Sequence, residues 1–198
     1  MPPIMKITKV KINSGRFKGK SIALPMVEGT RPTKSIVKES AINTLRSDIP
    51  FSSFVEVFAG SGSVGIEALS NGARHAYFLE LSKEPAKILR ENLDSLDITN
   101  YDILMGDSFQ TITDLQKKLE NRNEPTIFYI DPPFNIRENQ SDVYEKTAAL
   151  IGNLPVSITE KIVIEHLTSF SFDEKLGPYR LEKKKRFGNT TLSYYLQS

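Results

Sequence analysis

The chain has 198 residues, 39% hydrophobic and 25% charged, which suits a soluble globular protein with one core and a small appendage. It has no cysteine, which excludes disulfides, thiolate metal sites and a cysteine nucleophile and fits a cytoplasmic address. No apolar run approaches the roughly 20 residues that cross a bilayer, and the first residues lack the apolar block of a signal peptide.

The net charge of +2 conceals an imbalance, because residues 1–46 carry ten basic side chains against Glu28 and Glu39. That segment is +8 and the rest of the chain −6. A basic arm on a mildly acidic body attracts a polyanion locally without general stickiness. The division expected is a basic nucleic-acid-binding extension over 1–48 and a catalytic domain over 49–198.

In chain order, extended runs over Ile4–Asn13 and Lys20–Pro25 flank the turn signal Ser14-Gly15. Thr33 then caps a helix whose Val37, Ala41 and Leu45 recur every four residues. Lys34, Lys38 and Arg46 lie off that stripe and are expected to face solvent or substrate. From residue 53 strands and helices alternate. Strands are predicted over Phe54–Phe58, Ala76–Leu79, Tyr101–Met105, Thr126–Ile130 and Lys161–Glu165. Between them lie helices over Ser63–Asn71, after Ser82, near Phe109–Glu120 and near Ser141–Gly152. The runs Tyr179–Arg186 and Thr191–Leu196 form a hairpin across Gly188-Asn189. The alternation predicts an α/β fold, a doubly wound and mostly parallel sheet with ligands at the carboxyl ends of its strands.

The suggestive residues fall at those ends. Gly60-Ser61-Gly62-Ser63-Val64-Gly65 fits G-x-G-x-x-G between a strand and a helix. Its glycines permit close backbone approach, and the helix start offers free N–H donors. Glu80 ends the next strand, where a carboxylate accepts from ribose hydroxyls. This much suits NAD as well as S-adenosylmethionine. Glu56 and Asp107 favour the latter: the Glu56 charge opposes a pyrophosphate and suits a sulfonium or ammonium cation, and Asp107 adds a carboxylate suited to recognise an adenine amino group. The cofactor-binding set expected is Glu56, Phe58, Ala59, Gly60, Ser61, Gly62, Glu80, Leu81, Asp107 and Ser108.

Asp131-Pro132-Pro133-Phe134 follows the strand Thr126–Ile130 directly. Two prolines fix extended backbone and remove two N–H donors, so carbonyl acceptors dominate. The Asp131 carboxylate and the Pro132 carbonyl would together accept from one amino group and aim its lone pair at a methyl donor. Phe134 offers a π-face to an unstacked base, worth about 1–3 kcal/mol. These four residues are the catalytic candidates.

Phe58-Ala59-Gly60-Ser61-Gly62 with Asp131-Pro132-Pro133-Phe134 resembles the amino-methyltransferases of nucleic acids. Arg16-x-x-Gly19-Lys20, Thr30-Arg31-Pro32-Thr33 and Val37-Lys38-Glu39 narrow the resemblance to the bacterial RsmD-type family, which methylates a guanine N2 in 16S ribosomal RNA. It runs from about Lys11 to the end, with Glu56 standing where that family usually has Asp. The resemblance implies a seven-stranded, Rossmann-like methyltransferase sheet with an antiparallel final hairpin and a small N-terminal extension, a β-hairpin and helix, touching RNA. It further implies S-adenosylmethionine as cofactor and a monomer acting on 16S ribosomal RNA, in the small subunit or an assembly intermediate. The RNA contacts expected are Arg16, Lys18, Lys20, Arg31, Lys34 and Lys38.

His75 and His166 lie far apart with no cysteine, so no metal site is expected; both suit surface or strand-end positions. Lys183-Lys184-Lys185-Arg186 equally suits phosphate binding and protection of a sheet edge. Three other functions stay open: an adenine-N6 methyltransferase, an NAD-dependent oxidoreductase, and a non-catalytic RNA-binding assembly factor. The second lacks a Tyr–Lys pair, and the third needs no intact Asp-Pro-Pro-Phe.

Overall fold

The computed structural model describes residues 7–25, 33–133 and 140–198, without the side chains of Thr33, Lys34, Gln140 and Ser141. The expectations for Arg31, Phe134 and the Lys34 side chain lie outside the described residues. After the strands β1 (Ile7–Lys11) and β2 (Ser21–Pro25) comes helix α1 (Thr33–Leu45). The α/β part then runs β3 (Ser53–Val57), α2 (Ser63–Ser70), β4 (Ala76–Glu80), α3 (Lys83–Ser95), β5 (Tyr101–Met105), α4 (Ser108–Asn121), β6 (Thr126–Ile130), α5 (Gln140–Gly152) and β7 (Thr159–Leu167). The chain closes with β8 (Lys175–Leu176), β9 (Tyr179–Phe187) and β10 (Thr190–Gln197).

The main sheet has the order β5-β4-β3-β6-β7-β10-β9-β8. β3 to β7 are parallel, and β10 runs antiparallel between β7 and β9. The segments SFVEV, AYFLE and TIFYI are buried throughout, as strands covered on both faces must be. Only Glu56 and Glu80 put a charge into these runs, and both accept hydrogen bonds from backbone N–H groups of the segment that follows β3. The chain passes from β3 outward to β5, then returns to lay β6 on the other flank of β3. That reversal makes the boundary between β3 and β6 the switch point, where such sheets open a crevice.

Alternate side chains of the strands feed two apolar layers. Phe54, Phe78, Tyr129, Val163 and Tyr194 pack under α1, α2 and α3 through Ala41, Leu45, Ile66, Leu89 and Leu93. Val55, Tyr77, Phe128 and Ile162 pack under α4 and α5 through Ile112, Leu115 and Ile151. Ile12, Phe17 and Ile22 of the N-terminal hairpin lie in the first layer, so this segment shares its core with the sheet. The turn between β9 and β10 uses Gly188 at φ +60°, as its sequence signal requires. Among the described residues the sheet has the expected seven strands and, beyond them, the two-residue β8 at its edge. Two residues are too few to show any periodicity.

Candidate active site

The loop between β3 and α2 is built by hydrogen bonds that tie strand ends together. Ala59 N–H donates to the Leu79 carbonyl at 2.8 Å, and Gly62 N–H to the Ala59 carbonyl at 2.8 Å. Phe58 takes φ +65°, a left-handed conformation uncommon outside glycine and typical of positions fixed by their surroundings. Its ring meets Phe109 edge-on, with centroids 5.2 Å apart, joining the loop to the first turn of α4. The glycines have different duties. A Cβ on Gly62 would come within 2.2 Å of Leu89 Cδ1, and one on Gly65 within 2.4 Å of the Phe78 ring, so both serve packing. A Cβ on Gly60 would meet nothing within 4 Å. Gly60 therefore presents bare backbone to open space, the surface a ligand needs.

Glu80, at the carboxyl end of β4, clamps this loop. Its Oε2 accepts from Gly60 N–H and its Oε1 from Ser82 N–H, each at 2.7 Å. A carboxylate has about four acceptor positions, so two amides leave capacity for ribose hydroxyls. Ser82 occupies the N-cap position of α3 without a side-chain cap bond. Leu81 is exposed beside the clamp, whereas Ala59, Ser61 and Ser108 are buried and offer the crevice backbone more than side chain. Asp107 caps α4 by accepting from Phe109 N–H at 3.0 Å and stays exposed at the rim.

Glu56 departs from the expectation of a charge facing the cofactor. Its Oε2 accepts from Gly65 N–H at 2.7 Å and its Oε1 from Val64 N–H at 3.3 Å, so it holds the start of α2 from behind. Burial pushes its carboxyl up to about 8, against those amides and the Lys38 charge, which pull it down. Glu56 is a positioning residue for the loop.

Asp131 stands half-buried at the carboxyl end of β6, with Pro132 buried and Pro133 exposed. Its N–H points at the Val57 carbonyl at 3.4 Å, and Val57 pairs with Ile130, so Asp131 sits across the switch point from the glycine loop. Below it Tyr129 donates its hydroxyl to Glu165 Oε2 at 2.6 Å. Glu165 is buried in β7 and absent from the sequence-derived site. Its signal was a single acid directly following the apolar run Ile162-Val163-Ile164.

The basic side chains are not all at this rim. Arg16, Lys18 and Lys20 are exposed, with the charged ends of Arg16 and Lys20 5.1 Å and 5.4 Å from the Phe17 ring centre. Their turn is fastened to the last residue of α2, Arg16 N–H donating to the Ser70 carbonyl at 2.7 Å and Phe17 N–H to Ser70 Oγ at 3.0 Å. The glycine loop begins the same helix, so the three cations lie at its opposite end. Lys38 contradicts its assignment to RNA. It is 5% exposed, and its Nζ lies 3.0 Å from Glu67 Oε2. Counting Ile42 with Val37, Ala41 and Leu45 widens the buried stripe of α1 until it includes position 38.

Glu67 also accepts from Asn13 N–H at 2.9 Å and Ser14 N–H at 2.8 Å, so one buried carboxylate joins α2, α1 and the N-terminal turn. His166 is not a surface residue: it is buried in β7, Nε2 2.8 Å from Ser193 Oγ, and burial holds its pKa below the usual imidazole range. His75 pairs with Asp102 at 3.3 Å. Among the described residues no cluster of His, Asp and Glu is arranged to hold a metal.

A parallel sheet reversing beside a glycine loop, with acids at successive strand ends and an antiparallel final hairpin, is the Rossmann-like fold of methyltransferases. The chain belongs to the RsmD-type family described as conserved hypothetical protein 95, whose pattern matches residues 10–196. It is 36% identical over 127 residues to the ribosomal RNA small subunit methyltransferase D of Haemophilus influenzae. That match covers 64% of this chain and 65% of the relative, just under two thirds of its length. The structure of the Escherichia coli protein yhhF superposes with a TM-score of 0.75 at 21% identity, covering 96% of this chain and 99% of that one. A SAM-dependent methyltransferase from Agrobacterium tumefaciens superposes with a TM-score of 0.60 at 13% identity, covering 89% of this chain and 67% of that one.

Proposed function

We propose that this protein transfers a methyl group from S-adenosylmethionine to the exocyclic N2 amino group of a guanine in 16S ribosomal RNA. The observation that carries this is the position of Asp131-Pro132-Pro133, directly across the switch point from the open backbone of Gly60. The family supports it too, since the Haemophilus relative is named for small-subunit ribosomal RNA.

The residues present fit the cofactor. Gly60 leaves room for close approach, Glu80 has acceptors to spare for the ribose, and Asp107 stands exposed where an adenine amino group can donate. When bound, S-adenosylmethionine supplies a methyl group already activated on a sulfonium. The protein's contribution is then mainly positioning, which removes a large entropic part of the barrier. A guanine N2 is a poor nucleophile because its lone pair is delocalised into the ring. The Asp131 carboxylate and the Pro132 carbonyl accept both N–H bonds, favour a pyramidal nitrogen and direct its lone pair at the methyl carbon. Asp131 then takes the proton released on transfer.

The test is transfer of labelled methyl to small-subunit particles and to naked 16S RNA, with the modified nucleoside identified by mass spectrometry. N2-methylguanosine is expected. N6-methyladenosine would replace this reading with the adenine one, and absence of any methylated nucleoside would refute both.

A further inference from the structure

Beside the switch point β6 and β7 run parallel, and each carries an acid directly after its apolar run. The register pairs Ile130 with Ile164, so the next residues, Asp131 and Glu165, stand at one level on adjacent strands, about 5 Å apart between Cα atoms. Tyr129 and Val163, two positions back, both lie in the layer under α1, α2 and α3. The alternation of side chains along a strand gives Asp131 and Glu165 that same face.

Glu165 is 6% exposed, and a carboxylate so placed is costly unless its oxygens are hydrogen-bonded. The Tyr129 hydroxyl donates to its Oε2 at 2.6 Å. Burial first, then the charges of Glu165, Asp131 and Glu56 around it, hold that hydroxyl well above the ordinary phenol range. Tyr129 therefore keeps its proton and remains the donor, and Glu165 is oriented as an acceptor beside Asp131. An apolar pair would fill the same space without the desolvation cost. Neither cofactor binding nor the orientation of the amino group uses the pair, so its acceptor capacity is left to account for.

The amino-bearing bases differ in the ring atom beside the amino group. In adenine and cytosine a bare ring nitrogen stands there and accepts; in guanine alone N1 carries a hydrogen and donates. A second carboxylate next to the group that holds the amino nitrogen therefore fits guanine and opposes the other two. We propose that Glu165 is a specificity-determining residue of the site, accepting from guanine N1–H while Asp131 and the Pro132 carbonyl accept from the N2 amino group. The proposal rests on the guanine reading above. An adenine in the same place would set its bare N1 against the Glu165 carboxylate, acceptor against acceptor. Guanine N1–H is the group used in base pairing, so the target must be unpaired when it is bound.

The test uses 16S RNA fragments carrying guanine or 2-aminopurine at the position that mass spectrometry identifies as methylated. 2-Aminopurine keeps the 2-amino group but has a bare N1. The wild type is expected to prefer guanine by about 10²-fold or more in kcat/KM, because a site built to accept a hydrogen bond rejects a base that lacks it. In Glu165→Gln the amide carbonyl keeps the Tyr129 hydroxyl while its NH2 turns to the base and donates to the bare N1. The preference should then shrink by at least about tenfold. The missing O6 of 2-aminopurine affects both proteins alike and cancels in this comparison. Tyr129→Phe keeps the carboxylate but frees its orientation, and its preference should fall by about three- to tenfold; it decides the matter if Glu165→Gln does not fold, which calorimetry with S-adenosylmethionine reveals. A preference unchanged in the folded variants overturns the proposal, including the case where activity falls equally on both RNAs, as it would if Glu165 only supported packing. A wild type that methylates both RNAs at similar rates also overturns it while leaving the activity intact. A wild type that methylates neither refutes the activity itself.

Discussion

A carboxyl buried behind a helix start is pulled two ways, since the amides favour its charge and the lost hydration opposes it. At Glu56 the hydration wins, and the group titrates at about 8 instead of the 4.5 of an exposed glutamate. Below 4.5 both folded and unfolded chains hold this proton. Between 4.5 and 8 the unfolded chain releases it while the folded chain keeps it, so the stability contributed by Glu56 declines as pH rises and levels off above 8. Glu56→Gln removes the titration, and its stability curve from pH 5 to 9 should lose that downward slope relative to wild type. Urea midpoints at each pH check this; a constant offset between the two proteins would show that Glu56 does not titrate in the window. Asp131 is half-buried and oriented by its prolines. Asp131→Asn keeps the shape but replaces one acceptor with a donor and cannot take a proton. Transfer should slow by about 10²–10⁴, with cofactor affinity by calorimetry within about twofold, because no step of cofactor binding proposed here uses Asp131. Near wild-type transfer would remove the amino-orienting role.

At the scale of single elements, the glycine loop separates two functions that G-x-G-x-x-G merges. Gly60→Ala adds a methyl into open space at φ +56° and incurs only left-handed strain, about 1–2 kcal/mol. Gly62→Ala adds the same strain plus a collision with Leu89 and Phe78, so about 2–5 kcal/mol in all. Gly60→Ala should therefore stay folded but bind S-adenosylmethionine at least about tenfold more weakly, 1.4 kcal/mol, whereas Gly62→Ala should chiefly lower the melting temperature. Calorimetry and thermal unfolding on both variants decide it, and the reverse pattern would mean that Gly62 faces the ligand. The same contrast shows what sequence pattern conveys. β5 and β6 were legible to the residue: β6, buried on both faces, is a short apolar run, and β5, half-buried at the sheet edge, is bounded by the turn residues Asn100 and Gly106. The glycine loop and Asp131 were legible because their residue types are tied to backbone geometry. Which way Glu56 points was not, since a helix start and a bound cation both attract a carboxylate. Lys38 was misplaced because a four-residue stripe through Val37 hides the second one through Ile42.

Over the whole molecule, charge and packing divide the chain differently. Charge separates the first 46 residues from the rest, +8 against −6, and suggests an appended arm. Packing unites them: Ile12, Phe17 and Ile22 of the arm and Val37, Ala41, Ile42 and Leu45 of α1 lie in one apolar layer with Phe54, Leu192 and Tyr194 of the sheet. Glu67 reinforces the join, being 1% exposed and dependent on Lys38, Asn13 and Ser14 for its partners. Removing residues 1–48 would strand this carboxylate in an apolar surface, and breaking a buried ion pair costs about 3–5 kcal/mol. It would also uncover the sheet face that α1 covers. Against a total stability of about 5–15 kcal/mol, the two losses together leave little. The fragment 49–198 should therefore lack a cooperative thermal transition and bind hydrophobic dye, while the full chain unfolds in one step. Glu67→Gln in the full chain isolates the electrostatic share: it keeps the apolar cover, so it should melt lower than wild type but still cooperatively, with faster proteolysis in the first 25 residues. Near-ultraviolet circular dichroism with temperature, run on all three proteins, discriminates the cases. If 49–198 melts cooperatively within a few degrees of the full chain, the basic segment is a separable module and the shared apolar layer contributes little to its stability.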